Sequence, residues 1–318
     1  MKTIFFNWTK VLSLIVAAGL FQECSSSSND AVGTGETEFQ VTDAPSDDAS
    51  VKGVFVTIAD IKVDGTSISG FTKQTVDLKA FQEGNAKLLA SSRLSAKSYN
   101  NVTLVLDNDT DASGTAPGSY VLTTTDAKFK LGTGQTNVSL NNTWNVTANS
   151  KTTVILDFDI RKAVRRVDDA SIRYSFVSND NLQASVRIVA QEKSGHINGN
   201  YTEQVVVNDD KIFVYAYKKG TFDAGVEGQP QGSDGILFKN AVTSAEVKGS
   251  LSARTYKLAF LESGEYELHF ATYDIDANDQ AVFHSMLQSN ITVGASSPNV
   301  VTIQAGVTAS LTTAITGL

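Results

Sequence analysis

The sequence predicts an all-β chain: two antiparallel β-sandwich domains in tandem, behind a lipoprotein signal peptide and a short tether. Three observations predict it. Short β-branched runs alternate polar and apolar residues along most of the 318 residues. Gly, Asn, Asp and Ser bound nearly every run, as turns between short strands require. About 290 residues of this pattern exceed what one small core serves, so two domains follow.

The elements run in this order. Residues 1–23 carry Lys2 and Lys10 and then the apolar run Val11–Phe21, too short to span a membrane and suited to a secretory signal. Cys24, the one cysteine of the chain, follows directly and is the expected lipidation site. Glu23 stands before it, where a small residue is usual. An exported protein with a single cysteine has no disulfide use for it, and a diacylated cysteine meets the need for more than one buried chain. Residues 24–35, with Ser25–Ser28 at their head, read as a flexible tether. The first sandwich is expected over 36–194, with strands at Thr37–Thr42, Val51–Val63, Gln74–Leu78, Asn101–Leu106, Tyr120–Thr124, Val138–Leu140, Trp144–Thr147 and Thr152–Phe158. Asp64-Gly65 supplies a hairpin turn. Ala80–Leu89 and Asp159–Val164 suit short helical turns. A boundary is expected near Ser194–Asn200, where Gly195, Gly199 and two asparagines cluster. The second sandwich, 195–318, begins with strands at Thr202–Val207 and Ile212–Tyr217, and the glycine-rich segment 218–235 reads as a long mobile loop.

Several stretches resemble a known family. They are Val41-Thr42-Asp43-Ala44-Pro45, Val54–Ile58, Thr75–Leu78 with Leu88-Leu89, Leu94–Tyr99 leading into Val102–Leu106, and Leu156–Val164. In order and spacing they resemble the bacterial lipoprotein domain of unknown function 4382, across about residues 36–190. That resemblance implies an envelope location, in or on the outer membrane, and a β fold, with no activity attached. Phe260–Tyr266, a strand-turn-strand with Gly264 at the corner, is similar to transthyretin-like or carboxypeptidase-regulatory-like sandwiches.

Composition excludes some partners. Without residues 1–23 the 26 Lys+Arg become 24 and the 34 Asp+Glu become 33, a net charge of −9. An acidic chain without a basic stripe does not suit nucleic acid. Three histidines, His196, His269 and His284, form no zinc-ligand pattern, and no phosphate loop or nucleophile elbow is present. His269 and His284 are expected as a solvent-facing cross-strand pair. The best metal candidates are two Ca2+ loops, Asp107, Asp109 and Asp111 in one, Asp274, Asp276 and Asn278 in the other, where carboxylates alternate in a turn. Asp and Asn equally favour turns through bonds to local backbone. Asp157 and Asp159 share a strand face and are expected to pair with Arg161, Lys162 or Arg165 rather than to act as a catalytic couple.

The resulting expectation is a non-enzymatic envelope module for binding, adhesion or assembly, held to the membrane by its lipid and meeting an envelope protein or glycan through loops 107–119 and 218–235. A hydrolase or processing enzyme for an envelope glycan or peptide, with a cleft between the domains, and a calcium-stabilised stalk are the alternatives.

Overall fold

The computed structural model describes residues 33–45, 48–169, 171–277 and 280–318. Cys24, the signal segment and nearly all of the tether lie outside the described residues. Gly33–Leu318 form one compact unit built almost wholly of strands.

The first half contains β1 (Thr34–Ala44), β2 (Val51–Val63), β3 (Thr66–Ser67), β4 (Gln74–Asp77), β5 (Lys87–Ser95), β6 (Ser98–Asp107), β7 (Tyr120–Thr123), β8 (Lys128–Lys130), β9 (Gln135–Asn145), β10 (Lys151–Asp159), β11 (Val164–Arg166), β12 (Tyr174–Phe176) and β13 (Val186–Ala190). Two short helices, α1 (Ile160–Ala163) and α2 (Asn179–Ala184), lie between the last strands. One sheet has the order β13-β10-β1-β5; the facing sheet runs β8-β7-β2-β6-β9, with β3 and β4 also on β2. Alternation explains the packing. Phe39 and Val41 of β1 and Val154, Leu156 and Phe158 of β10 meet Val54, Val56, Ile58, Leu104 and Trp144 in a single core. The Asp64-Gly65 turn forms as expected: both residues have positive φ (46° and 80°), which matches a two-residue hairpin, and Val63 pairs with Thr66.

The second half contains β14 (Ser194–Glu203), β15 (Lys211–Lys218), α3 (Ala224–Glu227), β16 (Thr243–Glu246), β17 (Arg254–Glu262), β18 (Gly264–Ile275), β19 (Ala281–Thr292), β20 (Val301–Ile303) and β21 (Thr308–Gly317). Its strand order is β16-β15-β18-β19-β21-β14-β17, with β20 on β18. β19 pairs β18 at one end and β21 at the other, and so joins the two layers. Val214, Leu268 and Phe270 from one layer pack on Ile197, Leu258 and Leu311 from the other.

Three local expectations change. Each half holds one parallel pair, β1 with β10 and β14 with β21, within its antiparallel framework; apolar alternation has the same period in both directions, so it carries no direction. Leu88-Leu89, read as the end of a helical turn, sits in β5, and the turn shrinks to a 3-10 segment at Leu78–Ala80. Ser194–Asn200, read as a boundary loop, is strand β14. Its glycines serve close approach rather than flexibility, since a Cβ on Gly199 would lie 2.0 Å from the Tyr256 ring.

Candidate functional site

The two halves meet over the outer face of the β13-β10-β1-β5 sheet. Because strand residues alternate faces, Ile155, Asp157 and Asp159 point away from the first core. Ile155 and Val189 pack against Phe260 of β17. Asp157 lies opposite Arg187 in register and accepts from its Nε at 2.7 Å. Arg187 then donates to the carbonyls of Phe260 (2.8 Å) and Ala259 (3.3 Å). Asp159 accepts from Arg161 Nη2 at 3.0 Å and meets Lys162 Nζ at 3.3 Å. Arg161 donates to the carbonyls of Leu237 and Phe238, and Lys162 Nζ to that of Ala241 at 2.5 Å. The cations of the first half are thus hydrogen-bonded to backbone of the second. Arg161 and Lys162 pair with Asp159 as expected, whereas the partner of Asp157 is Arg187 rather than Arg165, because Arg187 is its cross-strand neighbour.

Burial sets the electrostatics. It pushes the Asp157 carboxyl above its ordinary range, more than Arg187 lowers it. It pushes Asp43 well above that range too; Asp43 accepts from Ile160 N (3.2 Å) and Gln82 Nε2 (3.3 Å), and Asp159 and Asp157 add repulsion. At Asp159 burial acts in the same upward sense, but Arg161 and Lys162 together outweigh it and hold the carboxyl low, so it is ionised. A carboxyl raised in the folded state stabilises fully below its ordinary value of 3.8, and that contribution is lost as pH rises through the raised value. Asp43→Asn is therefore expected to melt higher than the wild type at pH 7. Thermal melts across pH should show the difference closing in acid; a variant less stable at pH 7 would contradict the assignment.

Segment 218–235, expected as a mobile loop, is instead part of a stretch reaching residue 242 that packs over the outer face of β15 and β18. Phe213, Tyr215 and Tyr217 of β15 and Tyr273 of β18 form a second apolar layer with Phe238 and Ala241. Phe238 stacks on Tyr215 at 4.1 Å between centroids. Glu227 is wholly buried and accepts from Tyr217 Oη at 2.8 Å and from Asn240 Nδ2. The sequence carried a signal for this cover. Ile212–Tyr217 is an unbroken apolar run, as expected of a strand buried on both faces. Ile236, from the same segment, inserts into the core of the first half.

Beside this junction lies a cleft of about 240 Å3. One wall is Arg165, Arg166 and Tyr174; the other is Asp234, Leu237 and Gln280, with Val51, Val54 and Ile160 among the apolar lining. Arg165 Nε is 3.7 Å from Asp234, and Asp234 also accepts from Ser178 and Asn181, which ties the rim together. An adjoining recess of about 490 Å3 shares Arg166 and Gln280 and adds Arg173. An apolar floor with a few fixed polar groups at a domain junction is a common form of ligand site.

The remaining candidates are dispersed. Asp107 binds Lys73 at 2.8 Å and the amides of Asp109 and Thr110; although burial acts against it, these bonds lower its pKa to about 2. Asp109 binds Lys130 at 2.7 Å, and Asp111 binds Ser113 and the Thr115 amide. Each carboxylate answers its own local donors, and the three do not converge on a common point. Asp276 accepts from the Gln280 amide at 2.9 Å, and Asn278 lies outside the described residues. Asp274 turns toward His284, with Oδ2 3.6 Å from its Nδ1. His269 stacks on Phe222 at 3.5 Å, while His284 bonds Asp209 at 2.6 Å. The cross-strand histidine pair is therefore absent, because the register sets His284 beside the Thr272/Tyr273 step of β18, well along the strand from His269. Asp209 was not legible as a site residue, since nothing in Asn208-Asp209-Asp210 distinguishes it from turn chemistry. His196 accepts from the Phe260 amide at 3.3 Å in the junction.

Residues 34–177 match the family described as domain of unknown function DUF4382. The matched stretch lies within the first half. The match stops short of β13, the strand that supplies Arg187 to the junction. No curated protein matches the chain. Among solved structures, the chain is similar to a leucine-rich repeat protein from Bacteroides thetaiotaomicron (12% identity, TM-score 0.23, 87% of this chain and 26% of that one). It is also similar to the major pilin subunit of Bacillus cereus (8% identity, TM-score 0.22, 89% and 70%) and a minor pilin of Streptococcus agalactiae (10% identity, TM-score 0.19, 89% and 96%). It spans about a quarter of the leucine-rich repeat protein. At these TM-scores none of the three bears on the fold. Among the described residues no helix is long and apolar enough to cross a membrane.

Proposed function

We propose that this chain is a non-enzymatic cell-envelope lipoprotein, anchored through Cys24 and probed by its partner at the cleft between two locked sandwiches. The observation that carries this reading is the cleft itself. Its walls come from both halves, Arg165, Arg166 and Tyr174 against Asp234, Leu237 and Gln280, and the buried ionic junction holds them in place. A recess made rigid in this way suits binding, adhesion or assembly with an envelope protein or glycan. The tip of loop 107–119 offers a second exposed surface, braced by Asp111. The carboxylates that a glycan- or peptide-cleaving enzyme would use, Asp157 and Asp159, are engaged by Arg187, Arg161 and Lys162, which supports the binding reading over the hydrolytic one. The transthyretin-like assignment of the second half and the outer-membrane location belong to the same proposal.

Affinity capture from intact cells tests it with three forms of the protein. Wild type should retain a membrane location and a partner. Cys24→Ser should lose the membrane fraction. Arg165→Glu, a change at a partly exposed rim position, should keep the membrane and lose the partner. An unchanged set of partners with Arg165→Glu would overturn the cleft as the contact. Turnover of an envelope glycan or peptide by the purified protein would overturn the non-enzymatic reading.

A further inference from the structure

We infer that Asp209, Asp274 and His284 form a binding site for a divalent cation of the zinc type. Their ligand atoms, two carboxylate oxygens and the Nδ1 of an imidazole, all lie within 4.8 Å of one another. They come from three separate stretches of backbone: the turn entering β15, the end of β18 and the start of β19. Among the described residues this is the one group of three such side chains that converges.

Two features of the backbone build the group. The pairing of β18 with β19 slips by one residue, so that Thr272 faces Ser285 while Tyr273 faces Phe283. His284 is the extra residue of that bulge. Bulges of this kind re-aim a side chain, and here the ring comes to Asp274 on the neighbouring strand, 3.6 Å from Oδ2, and to Asp209, 2.6 Å from Oδ1. The turn that carries Asp209 is pinned independently, because Asp210 accepts from the Ile275 amide at 2.7 Å. Asp209 is 8% exposed at its side chain, and His284 and Asp274 are more than half exposed. The group is therefore fixed on one side and open to an entering ion on the other.

The donor set selects the class of ion. Ca2+ takes oxygen ligands, six to eight of them, whereas imidazole with carboxylates suits Zn2+ and its neighbours. With metal–ligand bonds of about 2.0–2.2 Å, tetrahedral ligands stand roughly 3.3–3.5 Å apart. The 3.6 Å separation already fits. The 2.6 Å contact must open by several tenths of an ångström, which the exposed His284 ring can supply by a small rotation. Two carboxylates and a neutral imidazole balance the charge of one divalent ion, and the open side leaves room for water as a fourth ligand. The site differs from the Ca2+ loop read from the sequence: only Asp274 is shared, and the carboxylate of Asp276 is occupied by the Gln280 amide.

The test titrates Zn2+ alone into the full-length protein in detergent, by calorimetry and by NMR of the imidazole rings. The chain has three histidines, so each ring can be followed. One equivalent of Zn2+ should bind, the His284 ring should shift while His196 and His269 do not, and millimolar Ca2+ should not displace the ion. His284→Ala and Asp209→Asn should each weaken binding at least tenfold with the metal-free melting curve nearly unchanged. If either variant fails to fold, the ring shifts of the wild type decide. A silent His284 ring at tenfold excess Zn2+, affinity unchanged in His284→Ala, or displacement by Ca2+ would overturn the site, leaving a plain His284–Asp209 ion pair.

Discussion

Arg187→Ala is expected to destabilise the protein by about 3–5 kcal/mol, the usual cost of removing one partner from a buried ion pair. The side chain holds three acceptors at once: the Asp157 carboxylate and the carbonyls of Phe260 and Ala259. Its loss leaves buried Asp157 with only the more distant charge of Lys162 to offset it and takes the guanidinium donor from two carbonyls. Burial already raises the Asp157 carboxyl despite Arg187, so in the variant it rises further. The sign of the pH dependence follows: the deficit should be smallest in acid, where Asp157 carries its proton, and should grow as pH increases. Urea titrations of the two proteins at pH 5 and pH 8 check both the size and the trend. Arg187→Met combined with Asp157→Leu should recover part of the loss, since the two carbonyls of β17 still lack that donor.

Phe238→Ala is expected to cost a similar amount, about 3–5 kcal/mol for a buried phenylalanine. Phe238 has no exposed surface and touches both Tyr215, face to face, and Phe283, edge to face at 5.4 Å. Its carbonyl is also an acceptor for Arg161, and its amide donates to the Glu227 carbonyl at 2.8 Å. The substitution therefore acts on segment 218–242 as a whole. Limited proteolysis should cut the variant within 218–235 well before the wild type resists no longer, while sites elsewhere are cleaved at unchanged rates. Equal resistance of the two proteins would show that the segment is held by other contacts.

Much of the architecture was readable because strand periodicity and turn chemistry are local. The Asp64-Gly65 hairpin, the two-residue alternation of β1 and β10, and the short helix after Asp159 all formed where residue types alone place them. What the sequence left unread depends on distant partners. Parallel pairing of β1 with β10 is invisible to alternation, and the glycines at 195 and 199, which marked a domain boundary, face Tyr256 and the 304–307 backbone at close approach. The glycine-rich composition of 218–235 suggested mobility, and the unbroken apolar run Ile212–Tyr217 was the sign that something must cover β15.

The candidate site divides in the same way. Asp157 and Asp159 were legible as one charged face because two residues of one strand share a side. That their cations reach across to the backbone of the second half was not, since carbonyls of residues 237–260 leave no trace in residue type. The loop carboxylates illustrate the converse. Asp107, Asp109 and Asp111 have the spacing of a calcium loop, yet Lys73 and Lys130, far away in sequence, occupy two of them. Asp209 and His284 met only through a bulge, and a bulge has no reliable signature in a single sequence.

That the two sandwiches are one mechanical body, locked by the charges of Asp157, Asp159, Arg161, Lys162 and Arg187 and by Phe238 and Ile236, has a direct thermodynamic consequence. Differential scanning calorimetry of the full-length protein tests it most directly. One transition is expected, in which calorimetric and van't Hoff enthalpies agree, with a split into two when Arg187→Ala and Phe238→Ala are combined. Two resolved transitions in the wild type, with each half melting by itself, would contradict it.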